Sequence, residues 1–337
     1  MSNVVNPPGL KPIEGSGPVT DDTAHGIAPS RTAGETFAQA ASSRISDILE
    51  LFKLRVTAMV VLTTWAGYFV AAHHTGASAF SLRLLATLFG VGLVSSGAAA
   101  LNQVLERDLD ARMSRTKDRP LPARRMTPQA ASTVGSMATI AGLVLLGVTT
   151  NVLTAVLAAA TAATYVFIYT PLKRIGPFST FVGAFPGAMP AVLGWTAAEG
   201  SLRWEALSLF AIVFFWQFPH FHAIAWLYRE DYERAGIRML PVVDSTGRAT
   251  IRQILAYSVL LIPVSLVPFF FGLTGWIYLF GAIALGLAYV FFGIRLALLR
   301  LPPSAPNSKK EARELLQASI AYLPLLFALL MLNGGSR

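Results

Sequence analysis

Nine stretches of about 20 mostly apolar residues run through this 337-residue chain, and they leave few folds open to it. They lie roughly at 50–72, 84–105, 129–149, 152–170, 180–198, 205–227, 251–272, 275–299 and 314–334. Inside hydrocarbon every backbone polar group must be paired within its own segment. The expected class is therefore all-α: a polytopic membrane protein of about nine transmembrane helices. Charged residues make up 13% of the chain, about half the usual share of a soluble domain, and they collect between the apolar stretches. The chain has no cysteine, which excludes disulfides, zinc–thiolate sites and Fe–S clusters. Residues 1–43 are rich in Gly, Pro, Ser, Thr and Ala and lack the positive-then-apolar layout of a secretory signal. We expect a disordered cytoplasmic tail there and a membrane domain over 44–337.

The net charge of +9 does not point to nucleic acid, because of where the charges fall. Of the 27 Lys and Arg, 24 belong to the N-terminal segment or to the loops after spans two, four, six and eight, with their flanks. The other side keeps only Arg83, Arg203 and Arg337. The positive-inside rule then puts the N-terminus and the even loops in the cytoplasm and the C-terminus outside. The expected partner of the surface is the lipid bilayer.

Two even loops carry more than orientation requires. The first contains Asn102, Glu106 and Asp110, which share one face of any helix that continues span two. Three oxygen-bearing side chains on one face, two of them anionic, suit a hard cation such as Mg²⁺, which leaves coordination positions for substrate phosphates. Asp108 is expected to turn away, toward Arg112 and Arg115. Arg107, Arg112, Arg115, Lys117 and Arg119 supply the donors a diphosphate needs. The plain alternative for any one acid is a solvated helix end with local salt bridges.

The second begins inside span six, at Trp216-Gln217-Phe218-Pro219-His220, and runs on to Tyr228, Glu230, Asp231 and Arg234. Glu230 and Arg234 read as a surface i,i+4 pair, which leaves Asp231 without an obvious partner and makes it the better ligand. Gln217 and His220 are polar groups within hydrocarbon, which are costly and tend to be functional. On a continuous helix His220 and Asp231 would stand about 16 Å apart, too far to share a metal. His220 suits a second, deeper substrate, and His222 faces elsewhere. Tyr169, Lys173 and Arg174 close span four on the same face and suit an anionic head group.

These residues resemble the intramembrane aromatic prenyltransferase superfamily and, within it, the protohaem IX farnesyltransferase family. The resemblance covers most of 50–335. It rests on Asn102…Glu106-Arg107-Asp108-Leu109-Asp110…Met113-Ser114-Arg115-Thr116…Arg119-Pro120, Tyr169-Thr170-Pro171-Leu172-Lys173-Arg174, Trp216-Gln217-Phe218-Pro219-His220 and Asp231-Tyr232…Leu240-Pro241-Val242-Val243. It implies helices around a central cavity capped by cytoplasmic loops, in the inner membrane of a bacterium. It implies farnesyl transfer from farnesyl diphosphate to a vinyl group of haem b, with Mg²⁺ and addition of water, giving haem O and diphosphate.

In that reading Asn102, Glu106, Asp110 and Asp231 hold the metal. Arg107, Asp108, Arg112, Arg115, Arg119, Tyr169, Lys173, Arg174, Gln217, His220 and Tyr228 bind substrate. His220 either contacts the porphyrin iron or positions the ring. A contact with haem A synthase or the terminal-oxidase assembly machinery is a further expectation. The chain departs from the pattern at three places. Glu106 stands where the family has Asp, Ala235 where many relatives have a second acid, and Gly176 and Ser179 where Thr and Asn are expected. Two alternatives stay open at this point: a prenyltransferase acting on another aromatic acceptor, and a transporter or assembly factor whose polar groups mark a transport path.

Overall fold

The computed structural model describes residues 44–334, so the tail expected over 1–43 lies outside the described residues. Among these residues nine helices are long and apolar enough to cross a membrane. They are α1 (Leu54–Thr75), α2 (Leu82–Asp110), α3 (Pro128–Thr149), α4 (Val152–Leu172), α5 (Phe178–Glu199), α6 (Trp204–Leu227), α7 (Arg248–Phe270), α8 (Trp276–Leu298) and α9 (Pro306–Leu332). The described chain holds no strand beyond an isolated bridge between Thr274 and Gly334. The membrane class and the helix count expected from the apolar stretches are both found.

The helix ends follow local chemistry. The Ser81 hydroxyl accepts the Leu84 amide at the start of α2, Thr127 accepts Ala130 before α3, and the Asn151 side chain accepts Thr154 before α4. Each satisfies a first-turn N–H that has no partner within the helix. Gly76 and Gly200 end α1 and α5 in the left-handed conformation that glycine adopts without strain.

Large aliphatics and aromatics stand exposed around the outside, among them Val148, Phe280 and Leu298. A water-soluble molecule would bury such a surface, whereas a bilayer covers it. The most enclosed helices are α5 and α6, which pack against each other and against α1, α7 and α9. Trp195, Trp226, Tyr278, Tyr289 and Tyr322 fill this core.

The Asp244 carboxylate caps the start of α7. Asp244 Oδ2 accepts both the amide and the hydroxyl of Thr250, at 2.9 and 3.0 Å, and Oδ1 accepts the Gly247 amide at 3.0 Å. Burial alone would raise its pKa, but these donors outweigh burial and hold it below the ordinary carboxylate value. A depressed carboxyl stabilises the fold above its unfolded pKa and loses that contribution as pH falls through the folded value. Asp244→Ala is therefore expected to cost about 1 kcal/mol at neutral pH, the usual worth of a helix-start acceptor. The gap to the native protein should close as the pH drops below about 4. Melting curves of both proteins in detergent across that range check it.

Candidate active site

The segment before α1, the C-terminal part of α2, the end of α4 and the loop after α2 meet, and their polar groups form one buried net. α2 stays helical through Asp110, so Asn102, Glu106 and Asp110 do lie along one face, and all three are buried. Each is engaged by a cation or a hydroxyl from another part of the chain. Lys173 Nζ donates to Glu106 Oε1 at 2.8 Å, and Arg119 donates to Asp110 Oδ2 at 2.8 Å. Lys53 Nζ donates to Asn102 Oδ1 at 2.7 Å, while Asn102 Nδ2 donates to the Thr170 hydroxyl at 2.9 Å.

The Lys173 ammonium also lies 4.6 Å from the centroid of the Tyr169 ring. Burial alone would pull its pKa down. The Tyr169 and Glu106 side chains more than offset burial and hold it above the ordinary lysine range. Lys173 therefore carries its charge at neutral pH. Burial pushes the Tyr232 phenol up, with Arg115 opposing, so this residue beside the net stays neutral.

A local irregularity in α4 sets up part of this geometry. Residues Thr164–Tyr169 form a π-helical turn, with the Thr170 amide reaching back five residues to Tyr165 O. The Thr170 hydroxyl donates to the same carbonyl at 2.8 Å. Pro171 follows and brings no amide hydrogen to the next turn. Such single-turn expansions recur at functional sites. Here the turn carries Tyr169 and Thr170, the residues that meet Lys173 and Asn102.

Below the net a cavity of about 480 Å³ opens between α1, α2, α4, α5, α6 and α9. Lys53, Lys173, Tyr169, Gln217 and His220 line it together with many apolar side chains. Its size falls within the usual range for small-molecule sites. Val91, Val94, Ala98 and Ala99 of α2 form part of the wall. The Gln217 amide donates to Ala184 O and Val213 O at 3.0 and 3.1 Å, which pins α6 to α5. Its carbonyl oxygen sits against Gly187, where a Cβ would have no room.

Several expectations need correction. Asp108 pairs with its neighbour Arg107 at 3.5 Å, both exposed, and does not turn to Arg112 or Arg115. Asp231 does have partners: it is bonded to Arg234 and accepts the Ser114 amide at 3.3 Å. The expected Glu230–Arg234 pair is absent because Lys309 takes Glu230 at 3.1 Å. The helical estimate of the His220–Asp231 separation does not apply, because α6 stops at Leu227 and a separate helix, Arg229–Ala235, begins. Among the described residues no three His, Asp or Glu side chains form a preassembled metal cluster, since the acids are paired with Lys and Arg instead.

Of the anticipated residues, Asn102, Glu106, Asp110, Arg119, Tyr169 and Lys173 come together, with Gln217 and His220 along the same cavity. Asp231 is tied to the segment that follows α2, through Ser114. Arg115 lies over the Tyr228 ring at 5.1 Å, both of them exposed. Arg107, Arg112 and Arg174 are exposed and stay outside the net. His222 is buried against Gln253 of α7 and lines no part of the cavity, as its orientation suggested. Lys53 and Thr170 were missed. Lys53 had counted only as an orienting charge, and its distance of 49 residues from Asn102 hides the contact.

The UbiA prenyltransferase family model matches residues 60–331. The chain belongs to the UbiA prenyltransferase family. It is 52% identical over 292 residues to a protoheme IX farnesyltransferase of Koribacter versatilis, an alignment covering 87% of this chain and 94% of that one. It is 47% identical over 293 residues to a protoheme IX farnesyltransferase of Solibacter usitatus, covering 85% and 98%. Among solved structures, a digeranylgeranylglyceryl phosphate synthase superposes with a TM-score of 0.70 at 16% identity, covering 88% of this chain and 100% of that one. A UbiA homolog from Archaeoglobus fulgidus bound to DMAPP and Mg²⁺ superposes at 0.59 and 14% identity, covering 82% and 99%. These two likenesses concern the fold. The sequence relatives make this UbiA member an enzyme, a membrane prenyltransferase.

Proposed function

We propose that this prenyltransferase moves the farnesyl group of farnesyl diphosphate onto a vinyl group of haem b, with addition of water, to give haem O and diphosphate. The observation that carries the reading is one cavity lined both by the cationic Lys53 and Lys173 and by His220 among many apolar side chains. A diphosphate suits the two lysines, and a flat aromatic acceptor suits the apolar lining. The relatives named protoheme IX farnesyltransferases support the choice of acceptor. We place the protein in a bacterial inner membrane, and the charge asymmetry of the loops supports an orientation with the N-terminus and the even loops in the cytoplasm.

The ion pairs already in the site suggest how the chain handles the leaving group. Lys173 and Arg119 now neutralise Glu106 and Asp110, and Lys53 donates to the Asn102 amide oxygen. When a diphosphate arrives, these three cations turn their N–H donors to its oxygens and release the oxygens of α2. The donor set fits a hard cation, because the freed groups are carboxylate and amide oxygens along one buried face. Asn102, Glu106, Asp110 and Asp231 would hold Mg²⁺, which supplies further neutralisation of the leaving group.

As the bond between farnesyl C1 and oxygen breaks, its electron pair leaves with the diphosphate. The vinyl π pair forms the new carbon–carbon bond. A water oxygen adds to the neighbouring vinyl carbon and loses its proton. Residues such as Val91, Val94 and Leu193 keep bulk water from the allylic cation until the acceptor has reacted.

Mass spectrometry of haems extracted from a strain that makes no haem O tests this. Expression of the native chain should produce haem O. Asp110→Ala and Asp231→Ala, at matched protein levels, should lower it at least about 100-fold, as expected when charge stabilisation of a leaving group is lost. Haem O at the native rate from either variant would remove that residue from the metal set. No haem O from the native chain would remove the proposed acceptor.

A further inference from the structure

His220 is held more tightly than a packing residue needs to be. Its Nδ1 lies 2.7 Å from the Ser319 hydroxyl oxygen on α9. Its ring stacks on Trp216, with centroids 4.7 Å apart and planes 22° apart. The Trp216 indole in turn donates to the Ser319 carbonyl at 2.8 Å. One residue of α9 therefore fixes both rings of α6.

The direction of the His220 bond follows from proton counting. A serine hydroxyl has one proton to donate. Ser319 spends it on the Leu316 carbonyl, 2.6 Å away, which can only accept. With that proton on Leu316, the bond to His220 runs from the imidazole, Nδ1–H donating to the Ser319 oxygen. Neutral histidine carries one ring proton, so Nε2 keeps a free lone pair. His220 lines the cavity, with Nδ1 already engaged by α9. A fixed neutral imidazole with a bare Nε2 in an apolar pocket is a ligand for a transition-metal centre, and its Nδ1–H bond is the usual outer support of such a ligand.

We infer that His220 Nε2 is an axial ligand to the iron of the porphyrin substrate, and that Ser319 is the positioning residue that sets its tautomer and orientation. The inference rests on the reading of haem as the acceptor and decides between the two roles open to His220. It makes recognition depend on the iron as well as on the ring. A cavity that only matched the shape of the porphyrin would take metal-free protoporphyrin equally well. Gln217, one turn away, cannot substitute, because its amide is committed to Ala184 and Val213.

The test uses purified full-length protein in detergent, titrated with ferric haem b and separately with metal-free protoporphyrin IX. Absorption and EPR spectra should show histidine-ligated iron for the native protein. His220→Ala should lose that signature. Ser319→Ala should weaken haem affinity about 10- to 100-fold, the usual effect of removing the hydrogen-bond partner of a ligating histidine. Ser319→Thr, which keeps the hydroxyl, should restore it. None of the three should change the affinity for metal-free protoporphyrin by more than about 2-fold, and farnesyl diphosphate binding reports that each variant is folded. If His220→Ala binds ferric haem with an unchanged spectrum and affinity, the ligand assignment is wrong while the acceptor stands. If Ser319→Ala leaves affinity and spectrum unchanged, the positioning role is wrong. If the native protein binds neither porphyrin, the acceptor reading falls together with the inference.

Discussion

Lys173→Met is expected to lower prenyl transfer by about 100- to 1,000-fold, the loss typical of one preorganised donor to a developing charge. Lys173 lines the cavity, and its ammonium is bonded to Glu106 at 2.8 Å. The substitution removes a diphosphate donor and also leaves Glu106 as a buried anion without its partner. Breaking a buried pair from one side costs about 3–5 kcal/mol, so the melting temperature should fall as well. The two effects separate in a double variant. Lys173→Met with Glu106→Gln removes both charges and should recover most of the stability, but the rate should stay low. Steady-state release of diphosphate, read beside thermal melts in detergent, distinguishes these outcomes. Native turnover in the single variant would mean that Lys173 only balances Glu106.

The second large effect is expected where α1 meets α5. Gly67 and Gly194 face each other's helices so closely that a Cβ on Gly67 would run into the Ala191 carbonyl, and one on Gly194 into the Thr64 carbonyl. The obstacle is backbone in both cases, so no side-chain rotation can relieve it. Small residues at such crossings let helix backbones approach and pack without a hydrophobic driving force between them. Gly67→Ala and Gly194→Ala should each cost about 1–3 kcal/mol, the usual range for overpacking. They share one interface, so the double variant should cost less than the sum. α1 and α5 also wall the cavity, and forcing them apart should lower activity too. Gly92→Ala is the matched control, since its added Cβ would meet only the Val61 side chain at 3.5 Å. Its stability should stay within about 0.5 kcal/mol of native.

The correspondence between sequence and site is uneven in an instructive way. Asn102, Glu106 and Asp110 were legible because a helix repeats its face every three to four residues, and α2 stays helical to its last acid. The pairing of Asp231 was not legible. Sequence spacing offered Glu230 as the partner of Arg234, but Lys309, 79 residues further on, takes Glu230 and leaves Arg234 to Asp231. Spacing rules rank partners within one helix and say nothing of a competitor on another. The π-helical turn at Thr164–Tyr169 also left little local trace; it adjoins Thr170, which meets Asn102 from 68 residues away in the chain.

The sequence by itself determined the membrane class, the number of spans, the sided distribution of charge and the acids that share a face of α2. All of these depend on residue type and on separations of a few positions, which helix geometry converts directly into space. Only the tertiary structure decided which cation neutralises each acid, that Lys53 belongs to the site, that one cavity is lined by both Lys173 and His220, and that Ser319 meets the imidazole. Those contacts bridge 49 residues from Lys53 to Asn102, 67 from Glu106 to Lys173 and 99 from His220 to Ser319. They exist because helices distant in the chain are packed side by side, and packing is a property of the assembled bundle.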